Sequence, residues 1–474
     1  MNAAPARAFD AGAPRSEALP RRGFEASAVV FVVLVFPILL YLAHAAGIGR
    51  IVYPLSNLLL AAWLYARRSP WYAAQCLLLF CFASLVRRLV DEQAGFDQTN
   101  PVLFTPYLCC LFAGLKFVEY WLRRQPHFIG AFLIIVFGAF YGGALAALDG
   151  RAIAGGVDVL KWIAGPLFAV YMLAQRDSQT GVRPVLENSL IAAGIFMSIY
   201  GVLQFMHPSS WDAAWMRNVV ELGMNSIGTP DPFSLRIFST MNSPGSLGAV
   251  LLAGVVVALK KPLPIAVPAV TCMLVGLGLA QYRTIWAATA LALAMLLVTR
   301  PGALKPANLL AVFGVILALS STAFVPEIRE AVIKRANSMT ELKSDYSGEE
   351  RLAQYRDLAT NDALIAGEGL GLSGAVRRLD GLPRAIIDSG LIDIWRALGI
   401  VVGTVFLGAM IMLIVRMFAS APALANNLDF DRALVVASFI QLPMGSVHTG
   451  ELGFCGWLFL GLGLAALAGK QVRA

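Results

Sequence analysis

Long apolar runs recur along the whole sequence, and each is close to the length that a helix needs to cross a bilayer. Such a helix requires about 20 largely apolar residues. Hydrophobic residues make up 58% of the 474-residue chain and charged residues only 14%, against about 25% charged in a typical soluble protein. The extended polar–apolar alternation of an outer-membrane barrel is absent from the sequence. The pattern therefore predicts an all-α, polytopic membrane bundle.

Twelve to fourteen transmembrane helices are predicted, and the range arises because two of the apolar runs are short. Those two runs are 51–66 and 432–447, and two hydrophilic stretches, 207–235 and 326–389, interrupt the series. The candidate spans are 26–46, 51–66, 70–90, 101–118, 127–148, 156–174, 185–206, 236–259, 263–280, 283–299, 307–325, 390–417, 432–447 and 452–469.

Basic residues predict the orientation of these spans. The chain has 37 Lys and Arg residues. Most of those that lie outside the long loop are in short loops and tails on the same side of the membrane as the N-terminus. Cytoplasmic loops carry such an excess of basic residues. Both termini are therefore expected in the cytoplasm, with both hydrophilic stretches outside. The net charge of +8 follows from this bias, so no nucleic-acid partner is predicted. A signal peptide ending at Ala43-His44-Ala45 is the alternative, but the apolar stretch is too long for one.

The layout divides the chain into five regions. One of them, the long outer loop, is predicted to contain a helix. Ser347 and Glu350 form a capping box, and apolar residues at helical spacing then predict an amphipathic helix over 348–364. Three glycines at 367, 369 and 371 are expected to end it in a flexible turn. The regions are a disordered cytoplasmic tail (1–25), an N-terminal transmembrane bundle (26–206), a transmembrane region with a short outer loop (207–325), the helical loop (326–389) and the C-terminal helices (390–474).

Two arginines at the outer ends of spans are the first candidates for chemistry. Arg236 enters an apolar helix from the outer loop, and Arg283 follows Tyr282 at the start of another span. Either one can snorkel to lipid headgroups. Because neither has an acidic neighbour in sequence, an anion site is favoured, since arginine offers two parallel donors to phosphate and keeps its charge.

The residues after Arg236 are small, polar and helix-breaking. The run from Ser239 to Gly245, with Asn242 and Pro244 inside it, predicts a broken or kinked helix that lines a cavity or packs within protein. Its backbone amides could face an anion. Close packing of small residues between helices is the alternative interpretation.

Weaker signals lie in the loop and near the C-terminus. Arg351 and Arg356 fall on the predicted loop helix, where an exposed ion-paired face is the alternative to a functional one. Asp388 lies just before a predicted span, where an acidic residue can serve either as a general base or as a helix N-cap. Two further pairs stand one helical turn apart: Asp393 and Arg396, expected to pair with each other, and His448 and Glu451, which could shuttle protons or simply lie at the interface.

Several chemistries are excluded by missing motifs. The sequence has no phosphate-binding Gly-x-x-x-x-Gly-Lys loop, no Gly-x-Ser-x-Gly and no His-Glu-x-x-His. Neither the four histidines nor the six cysteines cluster in a metal-binding pattern, and the cysteines all lie in apolar stretches as packing residues. No Asp-x-Asp pair is present for a sugar nucleotide. No metal and no cofactor are therefore predicted.

Residues 230–415 resemble the O-antigen ligase and oligosaccharide repeat-unit polymerase superfamily of bacterial inner membranes. In that family an arginine opens a span before a small Asn- and Pro-containing stretch, as Arg236 does here, and a second arginine begins a later span, as Arg283 does. A long outer loop then carries an arginine, an aromatic residue four positions on and a Gly-x-Gly turn. Arg351, Tyr355 and residues 367–371 match that pattern.

One position departs from the family's ligases. These place a histidine just before the span that follows the loop, where this sequence has Asp388-Ser389-Gly390. The departure favours a polymerase of exopolysaccharide, capsule or O-antigen. Transfer of the glycan to lipid A-core by a ligase remains an alternative, as do a transporter of an anionic lipid-linked sugar and a non-catalytic scaffold.

The resemblance implies the C-type glycosyltransferase arrangement, with a periplasmic loop above the active site of a membrane bundle. It implies an undecaprenyl-pyrophosphate-linked oligosaccharide as donor, with a chain-length regulator and other assembly proteins as possible partners in the bilayer. The residues expected to be catalytic are Arg236, Arg283, Arg351 and Asp388. Those expected to bind substrate are Asn242, Tyr282, Tyr355, Arg356, His448 and Glu451.

Overall fold

The apolar runs form helices in the computed structural model of the chain. Ten helical stretches within the described residues are long and apolar enough to cross a membrane, and two shorter apolar helices accompany them. Helices are the only regular elements in this part of the chain, apart from one bridge between Gly228 and Leu235. The predicted all-α, polytopic bundle is thus confirmed. The structure describes residues 20–123, 128–175, 179–222, 225–299, 353–358, 365–372, 380, 387, 389–419 and 427–471.

Eight helices are described in the first half of the chain, and they cover the seven spans predicted there, although the predicted span 101–118 is divided between two of them. The first begins within the stretch predicted as a disordered tail, so that tail is at least six residues shorter than expected. The helices are α1 (Pro20–Leu42), α2 (Gly49–Ala66), α3 (Trp71–Ala94), α4 (Thr105–Cys110), α5 (Ala113–Leu122), α6 (Ile129–Leu148), α7 (Ala152–Ala174) and α8 (Gln179–Met206).

Seven further helices are described in the second half, and the predicted spans are less regular there. The predicted span 432–447 consists of the short helix α14 followed by a 3-10 turn at Leu442–Met444, because Pro443 cannot continue a helix. The predicted span 307–325 lies outside the described residues. The helices are α9 (Ser210–Glu221), α10 (Pro244–Ala258), α11 (Leu263–Ala280), α12 (Arg283–Thr299), α13 (Gly390–Phe418), α14 (Leu428–Phe439) and α15 (Gly450–Gln471).

The core of the bundle lies around α3, α7 and α15, which are buried along most of their length. Glycines allow α7 and α15 to approach closely. A side chain at Gly461 would overlap the backbone of Ala169, and one at Gly165 would overlap the ring of Trp457. Small residues at a helix interface permit this backbone contact within a membrane.

Helix α1 lies at the periphery and exposes its apolar side chains. Phe31, Val32 and Leu39 are more than half exposed, although the helix is largely apolar after Glu25. In a soluble protein such a surface would be a binding patch. On a helix of spanning length, it is the surface that faces lipid tails.

Helix α13 is broken at Gly399, where the backbone adopts a φ of 74°. A regular helix would pair the carbonyl groups of Arg396 and Ala397 with its own amides one turn later. Here they accept hydrogen bonds from the amides of Glu368 and Gly369, at 2.8 and 3.0 Å. The loop before α13 therefore completes the backbone pairing of the helix that follows it.

Candidate functional site at the outer end of the bundle

Arg236 lies in a non-helical segment of residues 235–243, here called the arginine segment. The predicted span 236–259 is wrong in its first part, because the helix begins only at Pro244. Ser243 caps that helix through its hydroxyl, which accepts from the amide of Ser246 at 3.0 Å, and Pro244 fits the first helical position. The small, polar run thus forms the predicted break in the helix.

Side chains of neighbouring helices satisfy the backbone of the arginine segment. The amide oxygen of Gln204 accepts from the backbone amides of Phe238 and Ser239, at 3.1 and 2.8 Å. The hydroxyls of Ser239 and Thr240 donate to backbone carbonyls of α8 and α3, each at 2.6 Å. Non-helical backbone persists inside a membrane protein only where it is satisfied in this way.

A fully buried ion pair completes this support. The guanidinium of Arg88 donates to the carbonyl oxygens of Ser239 and of Met241, the latter at 2.8 Å, and its Nε lies 3.1 Å from an Asp212 carboxylate oxygen. The other oxygen of Asp212 accepts from Tyr200 and Gln204, at 2.8 and 2.7 Å. A buried pair is tolerated when all of its groups are bonded. Arg88 therefore holds the arginine segment in place.

The arginine segment brings Arg236 close to Arg283. The backbone amide of Ile237 donates to the carbonyl of Leu279 at 3.3 Å, near the end of α11. Gln281 then adopts a left-handed conformation, with a φ of 50°, and turns the chain into α12, which begins at Arg283. Burial, followed by the neighbouring charge of Arg283, lowers the pKa of the Arg236 guanidinium. Two like charges are thus held near each other at the end of the bundle that the charge bias predicts to face outward, here called the outer end.

Arg236 is half-buried, and none of the carboxylates in the described residues lies within ion-pair distance of it. The ring of Tyr282, which precedes Arg283 in sequence, covers Gly245 at the start of α10. A half-buried guanidinium without a carboxylate has donors left for an anion.

A cavity of about 340 Å³ opens beside this pair and lies among the outer ends of α3, α4, α7, α10 and α15. Ser246 links the two features, since it lines the cavity and follows the glycine that Tyr282 covers. Most of the lining residues carry polar side chains, although apolar atoms make up most of the exposed lining surface. The residues are Gln98, Thr99, Leu103, Phe104, Tyr107, Lys161, Ser246, Ser446, Thr449, Gly450, Glu451 and Leu452.

Glu451 and His448 are both near the cavity but face different partners. Glu451 lines it and accepts from the hydroxyl of Ser84 at 3.3 Å. His448 is buried behind the wall, with its Nε2 3.5 Å from an oxygen of Asp393 and its ring edge against Trp162. The sequence spacing of one helical turn therefore does not bring the two side chains to the same place.

The predicted pairing of Asp393 with Arg396 is wrong. Asp393 accepts from Ser446 at 3.3 Å and faces His448, whereas Arg396 Nε lies 3.0 Å from both carboxylate oxygens of Glu368. Successive turns of the helix direct the two side chains to different neighbours. The Asp393 side chain points into the bundle, and the Arg396 side chain points toward the loop.

The described part of the long loop is attached to the outer end of the bundle. Residues 353–358 are helical, as predicted for the segment 348–364, and the hydroxyls of Tyr355 and Ser389 are 2.9 Å apart. Arg356 is exposed on this turn. The predicted residues Arg351 and Asp388 lie outside the described residues.

Residues 365–372, here called the glycine strap, are docked rather than forming the flexible turn that was expected. Arg151 donates to the carbonyl oxygens of Glu368 and of Leu370, the latter at 2.6 Å. The amide of Gly371 donates to Asp158 at 3.0 Å, and Asp158 in turn pairs with Lys161 of the cavity wall at 2.9 Å. The strap therefore connects the loop to the cavity.

Comparisons with known proteins do not assign the chain to a family. No protein-family model, no curated protein and no solved structure matches it. Within the described residues, no group of three or more histidine, cysteine or carboxylate side chains could hold a metal ion.

Proposed function

We propose that this protein is a membrane glycosyltransferase that joins undecaprenyl-pyrophosphate-linked oligosaccharide units into a surface polysaccharide. The observation that supports it is the approach of Arg236 to Arg283 beside a cavity with several polar side chains in its wall, with Arg236 half-buried and outside ion-pair distance of the described carboxylates. A diphosphate is the anion that two adjacent guanidinium groups bind best, because each can donate two parallel hydrogen bonds to phosphate oxygens.

The proposed reaction matches this arrangement of charge. A sugar hydroxyl attacks the anomeric carbon of the donor, and the lipid pyrophosphate leaves with the bonding electrons. Negative charge therefore develops on an oxygen of the pyrophosphate. Fixed cations near that oxygen stabilise the transition state more than the ground state. In this proposal Arg236 and Arg283 hold the pyrophosphate, Arg351 approaches from the loop, and no metal is required.

The site also has a place for a lipid-linked donor. Its polar groups lie at the outer ends of helices whose apolar surfaces face the bilayer. A long isoprenoid chain can remain among lipid tails while its pyrophosphate reaches the arginines. We propose that the protein lies in the bacterial inner membrane, with the site on the periplasmic side.

Replacement of Arg283 by lysine is the sharpest test, since it keeps the charge and removes the bidentate geometry. In a strain that carries only Arg283→Lys, we expect the yield of polymer to fall about 100-fold, the usual effect of losing one electrostatic contact to a transition state. The measurement is the ladder of polymer lengths on a gel, together with the amount of protein in the membrane.

Arg217→Lys is the matched control, because Arg217 is an exposed arginine on α9, beside the same outer loop. It should leave the ladder unchanged. A normal ladder from Arg283→Lys, with protein present in the membrane, would remove Arg283 from the proposed clamp.

The same strains separate polymerisation from ligation and transport. Loss of a polymerase leaves single repeat units that still reach the cell surface, whereas loss of a ligase leaves finished polymer on its lipid carrier. Loss of a transporter traps lipid-linked units on the cytoplasmic leaflet. Trapped units in the deletion strain would contradict the proposed function.

A further inference from the structure

The geometry points to the outer cavity as the binding site for the acceptor sugar, with Glu451 as the group that takes the proton from the attacking hydroxyl. This inference rests on the proposed glycosyl transfer. It adds the position of the second substrate and the identity of the base.

The cavity wall has the chemistry of a carbohydrate site. Its volume of about 340 Å³ is within the usual range of about 300–1,000 Å³ for small-ligand pockets. It offers a carboxamide, several hydroxyls, one ammonium group and one carboxylate, all of which can bond to sugar hydroxyls. Phe104 and Tyr107 add aromatic surface on one side. An apolar lipid tail would leave these polar groups unsatisfied.

Thr449 provides a direct sign of a missing polar partner. Its hydroxyl oxygen is buried in the cavity wall and has no hydrogen-bond partner among the residues that the structure describes. A buried hydroxyl without a partner is costly, by about 1–3 kcal/mol. A sugar hydroxyl in the cavity would satisfy it.

Glu451 is the carboxylate that is placed to receive a proton. It lies in the cavity wall, is half-buried, and accepts from the Ser84 hydroxyl at 3.3 Å, which fixes its orientation. Among the described residues that line the cavity, it alone carries a carboxyl group. Asp158 and Asp393 lie behind the wall, held by Lys161 and Ser446.

The cavity is also adjacent to the arginine pair, as the reaction requires. Tyr282 contacts the α10 start at Gly245, and its hydroxyl lies 3.8 Å from the ideal position of a Cβ on Gly445. The residues after these two glycines, Ser246 and Ser446, line the cavity. The acceptor hydroxyl would therefore approach the anomeric carbon from the cavity and the pyrophosphate would leave toward the arginines.

The step balances within these groups. The acceptor oxygen forms a bond to the anomeric carbon while the bond from that carbon to the pyrophosphate oxygen breaks. The electron pair stays on the pyrophosphate. The hydroxyl proton moves to the Glu451 carboxylate, which then returns it to water.

The test uses the purified full-length protein in lipid nanodiscs, with lipid-linked repeat units extracted from a strain that lacks it. Glu451→Gln keeps the shape of the side chain and removes the base, so we expect polymer formation to slow at least 100-fold, as for other general bases. Binding of the lipid-linked unit through its pyrophosphate should be unchanged. Thr449→Val should raise KM for the growing chain several-fold with little change in kcat.

Glu221→Gln is the matched control, because Glu221 is exposed at the end of α9 on the same side of the protein. It should have the wild-type rate. If Glu451→Gln and Thr449→Val both have wild-type kinetics while Arg283→Lys is inactive, the acceptor site is wrong and the proposed function stands. If the wild-type protein neither binds nor extends the lipid-linked unit, both proposals are wrong.

Discussion

At the scale of single residues, the site depends on a cation that the proposed reaction does not use directly. Arg88 is fully buried in the outer half of α3, and it contacts Asp212 and two carbonyl groups of the arginine segment. The cost of burying its charge is offset by these bonds. Its role is to position the backbone that carries Arg236.

Removal of Arg88 separates this positioning role from simple stability. Arg88→Leu leaves the charge of Asp212 buried and unpaired, which costs about 3–5 kcal/mol, so the unfolding temperature in detergent should fall. In the double variant Arg88→Leu/Asp212→Asn both charges are gone, and the asparagine oxygen can still accept from Tyr200 and Gln204. Thermal stability should largely return.

Polymer formation should not return with it, because the two carbonyl groups of the arginine segment still lack their donor. The matched measurements are an unfolding curve and the polymer ladder of each variant. Full activity of the double variant would show that Arg88 only stabilises the fold.

The candidate arginines could be predicted from the sequence, while their supports could not. Arg236 and Arg283 each stand out as a lone cation at the edge of an apolar run. Arg88, beside Arg87, is also a cation at the edge of an apolar run. Only the fold shows that its partners lie more than 120 residues further along the chain. Its hydrogen bond to Met241, for example, joins residues 153 positions apart. Local patterns carry no information on such distant contacts.

At the scale of elements, the glycine strap and the broken helix α13 form one unit. Amides of the strap donate to the two α13 carbonyl groups that amides of α13 itself would otherwise bond. The strap's glycines lie so close to neighbouring backbone that a side chain would not fit there. A methyl group on Gly399 would lie 2.6 Å from the carbonyl carbon of Ala366. The sequence did not predict this break, because one glycine in a 29-residue apolar helix resembles any other glycine in a membrane span.

Gly399→Ala should therefore separate the strap from α13. Alanine is strained at a positive φ and would overlap the strap, so we expect a lower unfolding temperature and faster proteolysis of the long loop. Gly408→Ala is the control in the same helix, since a Cβ there meets nothing within 4 Å. It should be neutral or stabilising by up to about 1 kcal/mol. Equal proteolysis of the two variants would contradict this role of Gly399.

At the scale of the whole molecule, the described site lies at the end of the bundle that the distribution of Lys and Arg predicts to face outward. The outer ends of α3, α7, α10, α13 and α15 all contribute to it, although they come from distant parts of the chain. A separate group of ion pairs lies at the opposite end of the bundle, where Arg183 binds Asp431 and Lys260 contacts Glu187. Apolar run lengths predicted most of this layout, because helix length is set by bilayer thickness.

Cysteine labelling in whole cells tests the orientation. We expect Asp231→Cys, at an exposed position of the outer loop, to react with a membrane-impermeant maleimide. Arg123→Cys, at an exposed position after α5, should react only after the cells are made permeable. The native cysteines are buried apart from Cys272, which is partly exposed, so the parent protein gives a low background. The reverse labelling pattern would place the cavity in the cytoplasm.

The docking of the glycine strap into the break of α13 has a consequence for biosynthesis. Ribosomes make the chain from its N-terminus, so residues 365–372 emerge before Gly390–Phe418. When α13 enters the bilayer, the amides that its interrupted turn requires have already been synthesised. A circularly permuted chain that begins at α13 would have to insert that helix with two carbonyl groups exposed to hydrocarbon, each at a cost of several kcal/mol. The gene order of these segments thus favours orderly membrane insertion.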